Sequence, residues 1–240
     1  HEVLSADARP DELDTLAQVE QISEALQLLG WNVSQIATDL DLKATLNAIN
    51  AQKPACVFNL VESLAGKGQL IHLLPALLAA NDLSYTGCGA DAIYLSSNKL
   101  LAKQWMCANH IATPKSLLPA EKLCEDNMTW IVKSVWEHAS FGMDDACVVG
   151  GVGAAQARMH HCVEKHGGDW FAEHFVDGRE FNVAMLEIDG QARILPIAEM
   201  SFIDYPQGKP KIVNYAAKWD ENAAEYHATQ RSFAPLARAE

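Results

Sequence analysis

The sequence predicts an α/β fold: a doubly wound, parallel-sheet first half followed by an α+β second half in which strands dominate. Up to about residue 92, helical periodicities alternate with short apolar runs that are typical of buried strands. Beyond that point, strands separated by turn signals follow one another, and a single long helix interrupts them. The chain has 240 residues, of which 49% are hydrophobic and 20% charged, so it is long enough to bury a sizeable core.

Helices and strands alternate in the first half. Between Asp11 and Leu29 apolar residues recur every three or four positions, which predicts an amphipathic helix that Asp11 caps and Gly30 ends. The other elements predicted here are, in order, a strand at 31–36, a helix around 42–49, a buried strand at 55–61, a helix at 68–80 bent by Pro75, and a strand end at 84–86 before a glycine-rich loop.

The second half is predicted to be mostly strands. A helix at 97–109 precedes it, and a second helix at 153–166 interrupts it. The central Asp-Gly at positions 189 and 190 predicts a tight hairpin. The predicted strands cover residues 129–135, 146–149, 169–176, 180–188 and 192–197.

Charge and cysteine usage restrict the class of protein. The 18 basic and 31 acidic residues give a net charge of −13, which argues against a broad nucleic-acid or anionic-membrane surface while allowing a local cationic pocket. No apolar run approaches the roughly 18 to 20 residues of a membrane-spanning helix. The cysteines form no CxxC spacing and are predicted to be reduced, mostly buried thiols of a cytoplasmic protein: Cys56, Cys88, Cys107, Cys124, Cys147 and Cys162.

A lysine at a strand end and the loop after it form a candidate phosphate site. Lys133 ends an apolar strand and precedes a loop with small residues at its tip. A lysine can meet phosphate as a point charge, and backbone N–H groups around Ala139, Ser140 and Gly142 can form an anion nest. The alternative is a surface lysine before an ordinary hairpin.

Two carboxylates and a second lysine are further candidates. Glu173 and Glu180 lie seven positions apart across an Asp-Gly turn, among apolar residues, where they can accept hydrogen bonds from hydroxyl or amino groups. Lys99 stands in the first turn of a predicted helix, where a cation adds to the positive helix start. The alternatives are solvated strand carboxylates and a solvent-facing helix lysine.

Taken together and in this order, these features resemble the ATP-grasp superfamily, and within it the D-alanine:D-alanine ligase-like proteins. The resemblance spans nearly the whole chain. The matching segments are residues 57–60, 85–89, 98–99 with Lys103, 131–133, 139–143, 173–180 and 215–219.

The resemblance implies an ATP- and Mg²⁺-dependent ligase that joins a carboxylate to an amine through an acyl phosphate. Lys99 and Lys133 would meet the phosphates, Glu180 would meet the ribose, and Glu173 and Val176 would lie at the adenine. Lys218 would approach the γ-phosphate. The implied nucleotide-binding residues are Lys99, Lys133, Ala139, Ser140, Phe141, Gly142, Glu173, His174, Val176 and Glu180, and the implied catalytic residues are Lys218 and Ser140.

Two replacements distinguish this chain from the family pattern. Ala139 stands where the ligases have a serine of their Gly-Ser-Ser loop, and Trp219 stands where they have a tyrosine. Neither residue has a hydroxyl, although the Trp219 indole can donate one hydrogen bond from a different point. Residues 61–68 also lack the histidine and the Glu-Asp pair of the ligase motif. We therefore expect an amino-acid or peptide substrate other than D-alanine.

The resemblance also implies the domain plan. It gives an N-terminal pre-ATP-grasp domain at 1–92, a small lid subdomain at 93–172, and an incomplete start of the C-terminal subdomain at 173–240. Nothing after Tyr226 matches the arginine or the Mg²⁺ ligands of the family, so the chain is expected to be a fragment. The expected partners are small carboxylates and amines, with no nucleic acid or membrane, and a homodimer is left open. The alternative function is nucleotide binding without ligase activity.

Overall fold

The chain forms two compact units in a computed structural model, which describes residues 8–122 and 127–233. The N-terminal unit comprises His1–Thr113 and Val135–His138. The C-terminal unit comprises Pro114–Ser134 and Ala139–Glu240.

The described part of the N-terminal unit is mainly helical. Its core cluster consists of Ile49, Val61, Leu64, Leu74 and Leu78, all buried. Its helices are α1 (Pro10–Leu28), α2 (Leu42–Gln52), a 3₁₀ turn (Gly68–Leu70), α3 (Leu73–Ala80), α4 (Ala90–Ser97) and α5 (Lys99–Ala108).

The first predicted helix is confirmed, but its start is not where the sequence indicated. Helix α1 begins at Pro10, whose missing N–H and fixed φ suit the first helical position. Arg9 precedes it as N-cap and donates its backbone N–H to the Glu12 carboxylate at 2.7 Å. Asp11 is therefore a first-turn residue rather than the cap. Gly30 follows the helix end with φ +87°, as predicted.

The predicted doubly wound parallel sheet is not confirmed. Residues 31–36 form no strand, and the run at 55–61 contributes one parallel bridge, between Val57 and Tyr85. Two backbone bonds make this bridge, from Val57 N–H to Ser84 O at 2.8 Å and from Thr86 N–H to Val57 O at 3.0 Å. Another isolated bridge among the described residues of this unit, between Leu64 and Lys67, is antiparallel.

Two of the predicted helices in this region have other bounds. The stretch at 68–80 is not one bent helix, because it divides into the 3₁₀ turn and α3. Pro75 lies in the first turn of α3, where its missing N–H costs no hydrogen bond. The helix predicted at 97–109 is α5, and Asn98 caps it by accepting bonds from Leu100 and Leu101 N–H at 3.0 Å each.

The described part of the C-terminal unit contains three antiparallel sheets. Strands β1, β2, β3 and β4 form a four-stranded sheet in the order β1-β4-β2-β3, and β5, β8 and β9 form a second in the order β5-β8-β9. The hairpin β6-β7 is the third. The strands are β1 (Ser116–Leu117), β2 (Thr129–Ser134), β3 (Val148–Gly150), β4 (Trp170–His174), β5 (Glu180–Asn182), β6 (Met185–Ile188), β7 (Gln191–Ile194), β8 (Ala198–Phe202) and β9 (Thr229–Ser232).

Three helices complete this unit: α6 (Val152–His166), α7 (Tyr215–Trp219) and α8 (Ala224–Ala228). Helix α6 packs on β2 and β4 and confirms the helix predicted at 153–166. The buried residues of this core are Leu117, Trp130, Val132, Val152, Ala155, Met159, Cys162, Trp170 and Ala172.

Most of the strands predicted for this unit are confirmed with shifted ends. The run at 180–188 divides into β5 and β6. The predicted hairpin turn is present, with Asp189 at φ +52° and Gly190 at φ +72°, the two left-handed positions that an Asp-Gly turn supplies. Strands β8 and β9 and the five-residue helices α7 and α8 were not predicted from the sequence.

The five cysteines that the structure describes are free, but the prediction that they are mostly buried is wrong. Cys147 and Cys162 are buried, whereas Cys56, Cys88 and Cys107 are exposed. Cys124 lies outside the described residues. No helix within residues 8–122 and 127–233 has the length and apolar character needed to cross a membrane.

Candidate functional site

A cavity of about 240 Å³ lies in the C-terminal unit. Five of the residues that the resemblance assigned to the nucleotide line it: Lys133, Glu173, His174, Val176 and Glu180. Apolar side chains complete its wall, as is usual for small-molecule sites. The other lining residues are Pro114, Ile131, Met143, Phe175, Ile212 and Val213.

The charged centre of the cavity is an ion pair between neighbouring strands. Ile131 of β2 pairs with Glu173 of β4, which makes Lys133 and Glu173 diagonal neighbours on the same face. Lys133 Nζ donates to Glu173 Oε1 at 2.6 Å. The two side chains are 24% and 14% exposed, so the pair is largely shielded. An ammonium group has three donors, so a lysine held by one carboxylate can also contact an anion.

The segment that leaves β4 forms one wall. Phe175 N–H donates to Thr129 O at 2.8 Å and continues the pairing with β2 just past the end of the strand. The next residue, Val176, is exposed to solvent. The His174 ring packs against Trp130, with the ring centroids 4.3 Å apart. Its Nε2 is buried and has no hydrogen-bond partner among residues 8–122 and 127–233.

The backbone of Val213 forms the opposite wall and is held from two sides. Its N–H donates to Glu180 Oε2 at 3.3 Å. Its carbonyl accepts from the Ser140 hydroxyl at 2.8 Å. Glu180 on β5 and Ser140 in the loop after β2 therefore bind the same backbone unit, that of Val213, which no sequence signal predicted as part of the site.

The loop at 139–142 has an unusual backbone. Ala139 and Ser140 have φ values of +56° and +61°, and Gly142 has +68°. A left-handed conformation costs a residue with a side chain about 1–2 kcal/mol, so two in succession need support from outside the loop. At Gly142 a side chain is also excluded by contact, because a Cβ there would lie 2.4 Å from the Trp170 ring.

Hydrogen bonds from outside the loop supply that support. Trp219 Nε1 donates to Ala139 O at 3.0 Å. Tyr215 N–H donates to Met143 O at 3.0 Å, and Arg158 donates to Gly142 O at 3.2 Å. The two residues that depart from the ligase pattern, Ala139 and Trp219, thus contact each other. The expected indole donor is present, and the acceptor is the backbone of the loop.

The other five predicted residues of the C-terminal unit do not line the cavity: Ala139, Ser140, Phe141, Gly142 and Lys218. Phe141 packs with His166 and Trp170 in a ring cluster, at centroid distances of 5.1 and 6.2 Å. Burial lowers the pKa of His166 in this cluster. Lys218 lies on α7 and is exposed.

Lys99 belongs to the N-terminal unit. It begins α5, and its Nζ donates to the Glu137 carbonyl at 2.7 Å. Its backbone N–H donates to Val135 O at 3.0 Å. The Glu137 carboxyl accepts from Gly68 N–H at 3.1 Å, and burial raises the pKa of this carboxyl.

The sequence did not identify the segment before α7 as part of the site. Ile212 and Val213 come from it, and Tyr205 OH donates to Ile212 O at 3.2 Å. Lys209 anchors it with hydrogen bonds to Glu225 and Asp145, which raise the pKa of Lys209. These contacts join positions far apart in the chain, and no local pattern predicts them.

A buried thiol lies behind the cavity wall. Cys147 clusters with Ile131 and Ile212, both of which line the cavity. Burial raises the pKa of Cys147 to about 12. The thiol is therefore neutral at physiological pH and acts as a packing residue.

The fold and sequence relatives define the class of protein. The structure is similar to the crystal structure of a D-alanine–D-alanine ligase from Bacillus anthracis, with a TM-score of 0.67 and 15% identity, over 98% of this chain and 70% of that chain. The fold is therefore a mixed α/β fold similar to that of this ligase. No protein-family model matches the chain.

The sequence relatives include a D-alanine–D-alanine ligase and an uncharacterized protein. The chain is 27% identical over 195 residues to a D-alanine–D-alanine ligase of Acidiphilium cryptum, covering 80% of this chain and 62% of that protein. It is 28% identical over 188 residues to the uncharacterized protein y4sG of Sinorhizobium fredii, covering 75% of this chain and 54% of that protein. The chain thus spans a little over half the length of these relatives. The predicted resemblance to D-alanine–D-alanine ligases of the ATP-grasp superfamily is confirmed.

Proposed function

We propose that the protein is an ATP- and Mg²⁺-dependent ligase that joins a carboxylate to an amine through an acyl phosphate. The observation that carries the proposal is the cavity of the C-terminal unit, which gathers the Lys133–Glu173 pair, the segment at 173–176 and Glu180. The likeness to D-alanine–D-alanine ligases supports the reaction class.

Each part of the cavity suits one part of ATP. The apolar wall and the backbone at 173–176 would take the adenine, with the buried Nε2 of His174 close by as an unmatched polar atom. The Glu180 carboxylate would accept a ribose hydroxyl. Lys133 would neutralise phosphate charge, and Lys99 and Lys218 would add further cations.

The chain's contribution to the reaction is positioning and charge neutralisation. ATP supplies the phosphoryl group that activates the substrate carboxylate. Phosphoryl transfer needs the phosphates and the acceptor to be held in line, with cations and backbone donors around the developing charge. In the proposal, Lys133 and Lys218 serve as the cations, and the backbone N–H groups of 139–142 serve as donors. The Ser140 hydroxyl donates to Val213 O in the structure and would exchange that partner to donate to phosphate.

Mg²⁺ has no ligand set in the described residues. Residues 8–122 and 127–233 contain no group of three or more His, Cys, Asp or Glu side chains placed to hold a metal ion. The proposal therefore keeps Mg²⁺ as the companion of the ATP phosphates, which commonly supply several of its ligands, and assigns it no residue of this chain.

The substrate is proposed to be an amino acid or peptide other than D-alanine. Ala139 has no hydroxyl, and the single N–H of the Trp219 indole is bonded to Ala139 O. A pocket built around hydroxyl pairs discriminates strongly between substrates, and the two replacements remove such pairs here.

The domain plan of the proposal keeps the segments 1–92, 93–172 and 173–240 as pre-ATP-grasp domain, lid and start of the C-terminal subdomain.

The two residues of this contact, Ala139 and Trp219, also favour a second candidate function, because neither has the hydroxyl that the ligases carry at that position. This candidate is a nucleotide-binding protein without ligase activity. Phosphate release by the full-length protein with ATP and Mg²⁺, across a panel of amino acids and dipeptides that includes D-alanine, separates the two. The ligase proposal expects release with at least one carboxylate and amine pair, and less with D-alanine. ATP binding without release for any pair would leave the second candidate, and turnover that is highest with D-alanine would overturn the substrate proposal.

A further inference from the structure

Helix α7 carries two functionally distinct residues side by side. Lys218 is the proposed γ-phosphate contact. Trp219, the next residue, donates its indole N–H at 3.0 Å to a carbonyl that lies 80 positions earlier in the chain. This bond connects the short helix α7 directly to the loop at 139–142.

The loop depends on contacts of this kind. Ala139 and Ser140 have side chains and adopt left-handed backbone conformations in succession. Such conformations persist where the surroundings hold them, and they concentrate at functional sites. The bond from Trp219 holds the first of the two residues, whereas the Ser140 hydroxyl and Tyr215 N–H hold the following part of the loop.

The indole has no second donor to offer. Its only N–H is bonded to Ala139 O, so its polar atom acts on the loop backbone rather than on a bound substrate. The Trp219 ring also packs near Tyr215, one turn earlier on α7, with the centroids 6.5 Å apart. Both contacts restrain the ring.

We propose that Trp219 is a positioning residue that fastens the loop at 139–142 to α7, so that the loop and Lys218 approach the nucleotide phosphates together. The proposal rests on the proposed ATP site. The proposal predicts that Trp219 contributes to the affinity for nucleotides that carry phosphates and not to the affinity for adenosine. The reason is that the loop and Lys218 contact the phosphates and not the nucleoside.

The test is the variant Trp219→Phe, which keeps an aromatic ring and removes the N–H. Calorimetric affinities are measured for adenosine, ADP and a non-hydrolysable ATP analogue, with Trp105→Phe as the matched control because Trp105 is 61% exposed on α5. Loss of one neutral hydrogen bond predicts about a two- to tenfold fall in affinity for ADP and the analogue, with adenosine and the control unchanged. Equal losses for all three ligands, or no loss for any, would overturn the proposal.

A second measurement uses the unmutated chain without nucleotide. Hydrogen exchange of ¹⁵N-labelled indole groups should be slower at Trp219 than at Trp105. Exchange as fast at Trp219 as at Trp105 overturns the positioning role even if ATP binds. Failure of the unmutated chain to bind ATP, with slow exchange at Trp219, instead contradicts the proposed function and leaves the loop contact standing.

Discussion

Each of the two compact units holds a lysine with a short hydrogen bond, but the two acceptors differ in charge. Lys133 donates to the Glu173 carboxylate at 2.6 Å, and Lys99 donates to the neutral carbonyl of Glu137 at 2.7 Å. In the first case two opposite charges share a shielded cavity. In the second case the Glu137 carboxyl is turned to a backbone N–H of Gly68.

The difference gives the two ammonium groups different electrostatic surroundings for binding an anion. Lys133 sits in a cavity whose other charged lining residues are carboxylates, Glu173 and Glu180, so its ammonium is the cation that offsets them there. A charged hydrogen bond contributes about twice as much as a neutral one. The bond of Lys99 is charge-assisted only through its ammonium donor, because the Glu137 carbonyl has no formal charge. Removing Lys133 should therefore have the larger consequence.

The largest effect is expected for Lys133→Ala. It removes a charge-assisted phosphate contact of about 1.5–3 kcal/mol, which predicts a ten- to hundredfold loss of ATP affinity in calorimetry. Lys165→Ala, an exposed lysine of α6, is the control for net charge and should bind ATP normally. Unchanged affinity in Lys133→Ala would remove Lys133 from the proposed site.

Lys99→Ala should reduce ATP affinity less than Lys133→Ala does. If Lys99 meets phosphate, it must first leave the Glu137 carbonyl, and this exchange of partners reduces its net contribution. We expect a two- to tenfold loss, as for a bond worth about 0.5–1.5 kcal/mol. Lys43→Ala on α2 is the control within the same unit. A loss larger than that of Lys133→Ala would reverse the ranking of the two lysines.

The C-terminal unit was the more predictable of the two because its signals are local. Apolar runs bounded by turn signals predict the strands β2 and β4, and the Asp-Gly turn predicts the β6-β7 hairpin. The contact between Lys133 and Glu173, however, joins positions 40 residues apart. Glu180 lies on β5, in another sheet, so local signals predict the strands but not the meeting of these three side chains.

The rest of the site and of the fold depends on distant partners. Val57 and Tyr85 were expected within parallel strands, yet a parallel pair has no tight turn to set its register. Helix α7 has five residues, too few to show a helical period. The bond between Trp219 and Ala139 joins two positions whose identities carry no local sign of each other.

Glu180→Gln tests the sugar side of the cavity, where a smaller effect is expected. The Gln side chain can still accept a hydrogen bond, but as a neutral group it is a weaker acceptor. The preference for ATP over 2′-deoxy or 3′-deoxy ATP should therefore shrink by a few fold rather than vanish. Affinities for the three nucleotides are compared in both proteins. Identical ratios in wild type and variant would make Glu180 only the acceptor for Val213 N–H.

The smallest effect is expected at Glu137, where the free energy of unfolding should depend on pH. Burial raises the pKa of this carboxyl above its ordinary value of 4.5. The folded chain then binds this proton more tightly than the unfolded chain does. Stability from the group is fully present below the unfolded pKa and is lost as the pH rises through the folded one.

Glu137→Gln should remove this loss of stability at higher pH. A Gln side chain is neutral at every pH and can still accept from Gly68 N–H, while the backbone carbonyl that receives Lys99 is untouched. Urea denaturation of both proteins at a series of pH values from 4 to 7 measures the effect. The stability of the variant relative to wild type should increase as the pH rises above 4.5. A constant difference would mean that the folded state does not perturb the Glu137 carboxyl, and the contrast with the charged pair at Lys133 would then rest on hydrogen-bond partners alone.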